Sequence, residues 1–303
     1  MRITVMTVAI ALSLAVARAG LAQQHAHADG HAADTVAPVH DRISERARRQ
    51  IRAVEEAVQH LDSPAAAREA GFRPALGWIP AMGTHWVNSR RVADGFDMLE
   101  PDHLMFSPVD GTPTLVGVAY AFRGPLDAPL PDGFDGALDV WHDHRRLAPA
   151  GETLHMLHVW FVESPDGPFA GHNPWLPFYA VGLTPPDTDR LRDPAAAERI
   201  RALAAALAST VETTWPDRLL TRFGGEALVE RVERRRGATR DLVPRLRHAQ
   251  AVGDTTAWDR LAAQAVEHWE AIRGAYLEAV PTERGRDRLA RRLDRMMGGG
   301  GHH

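Results

Sequence analysis

The sequence predicts an α+β protein in which a mainly antiparallel sheet is flanked by an N-terminal helix and followed by an all-helical C-terminal region. Two patterns lead to this prediction. Between residues 84 and 183, short runs of β-branched and aromatic residues alternate with turns rich in proline and glycine. From Asp187 onward, Ala, Arg, Glu and Leu dominate the composition, and apolar residues recur at helical spacing. Strands grouped apart from helices are typical of α+β folds.

Residues 1–22 are predicted to be a secretory signal peptide. Arg2 provides a positive start, and the apolar run Ile3–Ala17 is too short to span a membrane comfortably. Small residues follow, so that cleavage is expected after Ala19 or Ala22. We therefore expect a periplasmic or secreted bacterial protein with no integral membrane association after cleavage. The chain contains no cysteine, which excludes disulfides and thiolate metal ligands.

Residues 23–41 predict a flexible, histidine-rich arm, because they are small, polar and unable to form a core. After cleavage at Ala22, His25 would be the third residue. Its imidazole, two backbone amides and the free amine form a nitrogen set that suits Cu(II) or Ni(II). His27 and His31 are further candidates for metal capture. The alternative is a solvated linker whose histidines are incidental.

Residues 42–185 are expected to form the α+β domain. The apolar spacing over Asp41–Leu61 predicts an amphipathic helix that packs on the sheet. A sheet of about five strands should follow, since the strand-like runs are separated by turn residues. The predicted strands are Thr84–Asn88, Pro113–Phe122, Ala137–His144, Thr153–Glu163 and Pro177–Leu183.

Residues 186–297 are expected to be a helical region, and residues 298–303 a disordered tail. Pro185 and Pro186 mark the boundary, and glycines separate the helical segments. The predicted helices lie near Asp193–Thr213, Pro216–Phe223, Glu226–Arg235, Thr239–Val252, Thr255–Val280 and Thr282–Met297.

The strand predicted over Thr153–Glu163 places a histidine among large apolar residues. Side chains alternate between the faces of a strand, so His158 should share a face with Met156 and Trp160. His155 should lie on the opposite face. A buried imidazole is costly unless its nitrogens are bonded. His158 therefore needs a partner: a metal ion, a carboxylate or a backbone carbonyl.

Histidine is the unusual residue of this sequence, with sixteen copies in 303 residues. Two or three of those in the sheet region, together with one carboxylate, would form a divalent transition-metal site for which Zn, Fe, Cu and Mn are all suitable. His142 and His144, at i and i+2 on a strand, can both reach one metal ion. The alternative is a set of core histidines bonded to backbone groups and carboxylates. Seven histidines lie in this region: His85, His103, His142, His144, His155, His158 and His172.

Other kinds of function have little support in the sequence. The formal net charge of −4 gives no reason to expect a nucleic-acid partner. There is no glycine-rich phosphate loop or dinucleotide-binding motif, and no serine lies in a nucleophile-elbow context.

The segment Ala66–Pro177 resembles a group of secreted bacterial proteins of unassigned function. That group shares the motifs M-G-x-H-[WY]-V-N, P-[ED]-x-L-x-[FY] and L-H-V-W, which are Met82–Asn88, Pro101–Phe106 and Leu157–Trp160 in this chain. The resemblance implies that His85, Asn88, the acidic residue after Pro101 and His158 belong together. That acidic residue is usually Glu in the group and is Asp102 here.

Together these patterns predict a constellation of two histidines and one carboxylate formed by His85, Asp102 and His158. The remaining candidates would support these ligands or supply a fourth one. The leading hypothesis is an exported protein that binds a divalent transition metal. Two alternatives stay open: a metal-dependent hydrolase or oxygenase that uses the same site, and a structural or ligand-binding module without metal. The remaining candidates are His155, His142, His144 and His172.

Overall fold

A computed structural model describes residues 43–75, 77–136, 141–211, 218 and 220–296 of the chain. The predicted signal peptide, the arm with His25, His27 and His31, and the C-terminal tail lie outside the described residues. The same is true of residues 137–140, the first part of the predicted strand Ala137–His144. Among the described residues, no helix is both long enough and apolar enough to cross a membrane.

The centre of the fold is a six-stranded sheet in which every neighbouring pair of strands is antiparallel. The spatial order is β1-β2-β3-β4-β6-β5. Together with the helices before and after it, this sheet confirms the predicted α+β class. The strands are β1 Arg73–Pro74, β2 Thr84–Val87, β3 His103–Val109, β4 Thr112–Pro125, β5 His142–Asp143 and β6 Glu152–Trp160.

One face of the sheet packs against the N-terminal helix α1, Glu45–Val58. Ser44 begins this helix by accepting a hydrogen bond from the backbone N–H of Ala47 at 3.0 Å, as a good N-cap residue does. We call this side of the sheet the helix face, and its core includes the strand residues Trp86, Leu104, Phe106, Val118, Tyr120, Leu157 and Val159 together with Ala47, Val54 and Val58 from the helix.

The opposite side of the sheet has its own smaller core. We call it the histidine face, because it also carries the histidines described below. The segment predicted as a last strand, Pro177–Leu183, instead forms the short helix α4, Leu176–Ala180, so that prediction was wrong. Pro177 favours this outcome, since its missing N–H is harmless in a first helical turn. The core of this face contains Met105, Val116, Ala119, Ala121, Met156, Trp160 and Leu176.

Two short helices lie beside the first strands in the chain, α2 before β1 and α3 between β2 and β3. The helix α2 starts at a serine N-cap followed by proline, and α3 starts at Asn88, directly after β2. The second of them, α3, directly follows β2, the strand that carries His85. Their bounds are Pro64–Glu69 for α2 and Ser89–Asp94 for α3.

The C-terminal region is helical, as predicted, but it is built from fewer and longer helices. The two helices expected on either side of Gly237 are one continuous helix. A glycine inside a helix costs only about 1 kcal/mol, and Val232 and Leu242 are buried on either side of it. The predicted Pro216–Phe223 helix lies partly outside the described residues, and Leu220–Gly224 forms a π-helical turn. The long helices are α5 Pro194–Ala208, α6 Gly225–Ala251, α7 Thr255–Glu278 and α8 Glu283–Met296.

Candidate metal centre

The pairing of three strands brings two histidines to opposite sides of one small residue. His103 on β3, Ala119 on β4 and His158 on β6 are direct register partners. Side chains that lie opposite one another point to the same face of a sheet. Both imidazoles therefore stand on the histidine face, with the small, fully buried side chain of Ala119 between them.

Two further histidines reach the same face through neighbouring strands. His85 on β2 pairs with Met105, which lies two residues after His103 on β3. His142 on β5 pairs with Met156, which lies two residues before His158 on β6. Because strand side chains repeat every second residue, four strands each contribute one histidine to this face.

The closest contact in this group joins His85 and His158. Their Nε2 atoms lie 3.3 Å apart, and the two side chains are buried, with 7% and 0% of their surface exposed. The carbonyl oxygen of Gly171 lies 2.9 Å from Nδ1 of His158. Only an N–H can donate to a carbonyl, so His158 carries its proton on Nδ1, and Nε2 presents a lone pair toward His85.

The 3.3 Å separation matches the spacing of two metal ligands. Nitrogens bound to one tetrahedral zinc ion at about 2.05 Å lie about 3.3 Å from each other. A direct hydrogen bond from His85 Nε2–H to His158 Nε2 is the other arrangement that fits this distance. The arrangement is therefore well suited to a shared cation.

Three partly exposed histidines surround this buried pair. The ring centre of His142 lies 4.8 Å from that of His158 and 4.9 Å from that of His144. The Nε2 atom of His144 is buried and has no hydrogen-bond partner among the described residues. His172, next to Gly171, is close enough to affect the titration of His85 and His158. We define the histidine cluster as His85, His103, His142, His144, His158 and His172.

Burial keeps the inner imidazoles uncharged. The pKa of His85 is lowered to about 3, mainly by burial and in smaller part by the neighbouring His103 and His144. Burial likewise holds the pKa of His158 well below its usual value, with His142 and His85 adding to the effect. The pKa of His144 is also lowered, again mainly by burial. These side chains are therefore neutral near pH 7, which is the form of histidine that binds metal ions.

Asp102 lies beside the cluster and holds His103. One carboxylate oxygen bonds to Nδ1 of His103, and the other accepts a hydrogen bond from the backbone N–H of Ala121 at 2.9 Å. Asp102 is 2% exposed, so these two hydrogen bonds replace the water that its oxygens would otherwise bind. The ring of His103 lies 6.1 Å from that of His85. A carboxylate that orients a histidine in this way is a common partner of metal ligands.

The predicted candidate His155 lies away from this cluster, on the helix face. Its Nδ1 lies 3.0 Å from a carboxylate oxygen of Asp143, and its Nε2 donates to the carbonyl of Pro125 at 3.1 Å. The ring stacks on Phe122 at 5.9 Å. Both nitrogens are thus engaged with oxygens, and the prediction that His155 and His158 face opposite ways is confirmed.

Asn88, which the resemblance groups with His85 and His158, has a local structural role. Its side-chain oxygen accepts from the backbone N–H of Arg90 at 3.1 Å, and its amide donates to the carbonyl of Ala70 at 3.3 Å. It therefore caps α3 and fixes the end of β2, the strand that carries His85.

Among the residues that the structure describes, no three histidine, aspartate or glutamate side chains are already arranged to hold a metal ion. Two nitrogens, Nε2 of His85 and Nε2 of His158, are at the spacing of metal ligands. No protein-family model, curated protein or solved structure matches this chain. The geometry of the cluster is therefore the basis for assigning a function.

Proposed function

We propose that this is an exported protein that binds a divalent transition metal ion at the histidine cluster, with His85 and His158 as its central ligands. The observation that carries the proposal is the 3.3 Å separation of their Nε2 atoms. The bond from His158 Nδ1 to Gly171 supports it further. Metal-bound histidines usually donate their second ring nitrogen to a carbonyl or carboxylate, which orients the ring.

The energetics of burial support the same proposal. Polar groups cost free energy when they are buried without partners, and apolar side chains at these buried positions would avoid that cost. The unpaired Nε2 of His144 is one such cost in the metal-free protein. A bound cation would offset it, because neutral imidazole nitrogens are good ligands for Zn, Cu, Fe and Ni.

The graded exposure of the cluster fits metal uptake from solvent. His85, His103 and His158 are buried, whereas His142, His144 and His172 are partly exposed. An ion could therefore bind first to the outer imidazoles and then pass to the inner pair. In this proposal the N-terminal histidines His25, His27 and His31 assist capture, since they belong to a small, polar segment.

Within the proposal, Asp102 acts through His103 and does not bind the metal itself. Its oxygens already accept from His103 and from the Ala121 backbone. His103 then becomes a further ligand whose orientation and basicity are set by the carboxylate.

Metal analysis of untagged protein tests the proposal. The terminal histidines should first be replaced by alanine, so that any bound ion reports on the sheet. We expect one tightly bound ion per chain by mass spectrometry and calorimetry, and loss of that ion in both H85A and H158A. H248A is the matched control, because His248 is an exposed histidine on α6. Unchanged metal content in H85A and H158A would refute the proposal. The terminal histidines are His25, His27, His31, His40, His302 and His303.

A metal-dependent enzyme is a second candidate, and the Asp102–His103 pair favours it. A histidine held by a buried carboxylate is a common general base, and a water on a metal ion held by His85 and His158 would be a suitable substrate for it. In this alternative His103 is the general base and not a ligand. Metal-loaded protein should then hydrolyse activated esters, and H103A should lose this activity while retaining the metal. Equal, background-level rates with and without metal would leave metal binding as the function.

A further inference from the structure

Two methionines lie on the histidine face as direct neighbours of histidines. Met105 on β3 is the register partner of His85, and Met156 on β6 is the register partner of His142. The two methionines also follow or precede histidines by two residues on their own strands. The pairing therefore places one thioether side chain on each side of the histidine cluster.

Both methionines are buried and close to the cluster. Met105 is 0% and Met156 is 5% exposed, and both pack in the core that contains Ala119 and Trp160. Opposite side chains in a sheet have their Cβ atoms roughly 4.5–5.5 Å apart. A methionine has three rotatable side-chain bonds, so its sulfur can reach a point beside the neighbouring imidazole.

Gly117 provides the space that Met105 occupies. A Cβ atom at Gly117 would lie 2.8 Å from the terminal methyl of Met105, which is closer than real contacts allow. The methionine therefore lies across β4, the strand that separates β3 from β6. This direction carries it toward Trp160 on β6, which is the register partner of Gly117 and the next residue after His158 on the histidine face.

The donor set selects for a soft metal ion. Thioethers bind Cu(I) well and contribute little to sites for hard ions, which prefer carboxylate and carbonyl oxygens. The chain has no cysteine, and the buried carboxylate beside the cluster, Asp102, is engaged with His103 and Ala121. The donors left for the ion are imidazole nitrogens and methionine sulfurs.

We propose that the site is a copper(I) site, in which the nitrogens of His85 and His158 are joined by the thioethers of Met105 and Met156. This inference rests on the proposed metal-binding function and specifies its metal. The alternative, in which the methionines only fill space, makes different predictions.

Leucine substitutions separate the two possibilities, because leucine retains the volume and apolar character of methionine. The full-length protein, with its terminal histidines replaced, should be titrated anaerobically with Cu(I) against a chromogenic Cu(I) chelator. We expect M105L and M156L each to weaken Cu(I) binding at least roughly tenfold, because losing a ligand should cost no less than losing a group that supports one. Zn(II) affinity should change little. The control is M98L, since Met98 packs on the helix face.

X-ray absorption at the copper edge gives a second readout. Cu(I)-loaded protein should show sulfur scatterers together with imidazoles, and the sulfur contribution should disappear in the M105L/M156L double variant. A nitrogen-only shell in the parent protein, or leucine variants with parental Cu(I) affinity, would overturn the inference. Failure of the underlying function looks different, because H85A and H158A would then retain both zinc and copper.

Discussion

The Nε2 atoms of His85 and His158 face each other at 3.3 Å inside a sheet that brings them together from residues 73 positions apart in the chain. The fixed Nδ1 proton of His158 leaves a lone pair in this contact. Two imidazoles placed in this way are suited to share a metal ion, and this relationship leads to the following predictions.

Metal binding should stabilise the fold. A ligand that binds only the folded state adds about 2.7 kcal/mol of stability when its concentration is a hundred times the dissociation constant. We expect the Tm of the parent protein to rise with the concentration of the preferred metal, and the Tm of H85A and H158A to stay constant. Differential scanning calorimetry measures this. An equal rise in H85A would show that the ion binds elsewhere.

Replacing Asp102 by asparagine distinguishes an orienting role from direct ligation. Asparagine can still accept from the Ala121 backbone, but it removes the negative charge beside His103. Loss of such an orienting group typically weakens metal binding about 10–100-fold. Calorimetric titration of D102N should therefore give weaker binding with unchanged stoichiometry. Complete loss, as in H85A, would indicate that Asp102 is itself a ligand, and parental affinity would remove it from the site.

Enlarging the side chain that lies between the imidazoles should disable the site. Ala119 lies between His103 and His158, and a leucine there would project into the region where the imidazoles meet. Overpacking of a core position typically costs about 1–3 kcal/mol. We expect A119L to keep its circular dichroism spectrum, to melt at a lower temperature and to lose metal binding. A folded A119L variant with parental affinity would mean that the ion is bound away from this face.

The metal-free protein should lose stability as the pH falls. The pKa of His85 is about 3 in the folded state, whereas a histidine in an unfolded chain has a pKa near its ordinary value of about 6.5. Between these values the unfolded state binds more protons than the folded state, so stability decreases on acidification. His158 and His144 act in the same direction. Urea unfolding at a series of pH values should give a shallower decrease in H85A, and equal slopes would contradict this assignment.

The local parts of this arrangement could be predicted from the sequence, and the long-range parts could not. The alternation in β6 correctly separated His158 from His155, because side-chain period is a property of the strand alone. The sequence indicated no separate strand for β3, in which Ser107 and Pro108 interrupt the apolar pattern. His103 was therefore not assigned to the central site.

Strand register was the main missing piece of information. The position of His103 opposite Ala119, and the contact of His85 with His158, depend on how distant strands pair. The hydrogen bond between Asp102 and its sequence neighbour His103 could not be predicted either, because it depends on how both side chains are oriented. The strand predicted over Pro177–Leu183 was wrong for a different reason. A short apolar run fits a buried strand and a short helix equally well, and here it forms α4.

The most direct test of the account is a crystal structure of the metal-loaded protein, with data collected at the absorption edge of the bound ion. We predict an anomalous-difference peak between His85 and His158, at about 2.0–2.1 Å from the Nε2 atom of each. A peak located only on other histidines, or no peak and an unbroken hydrogen bond between the two Nε2 atoms, would contradict the account.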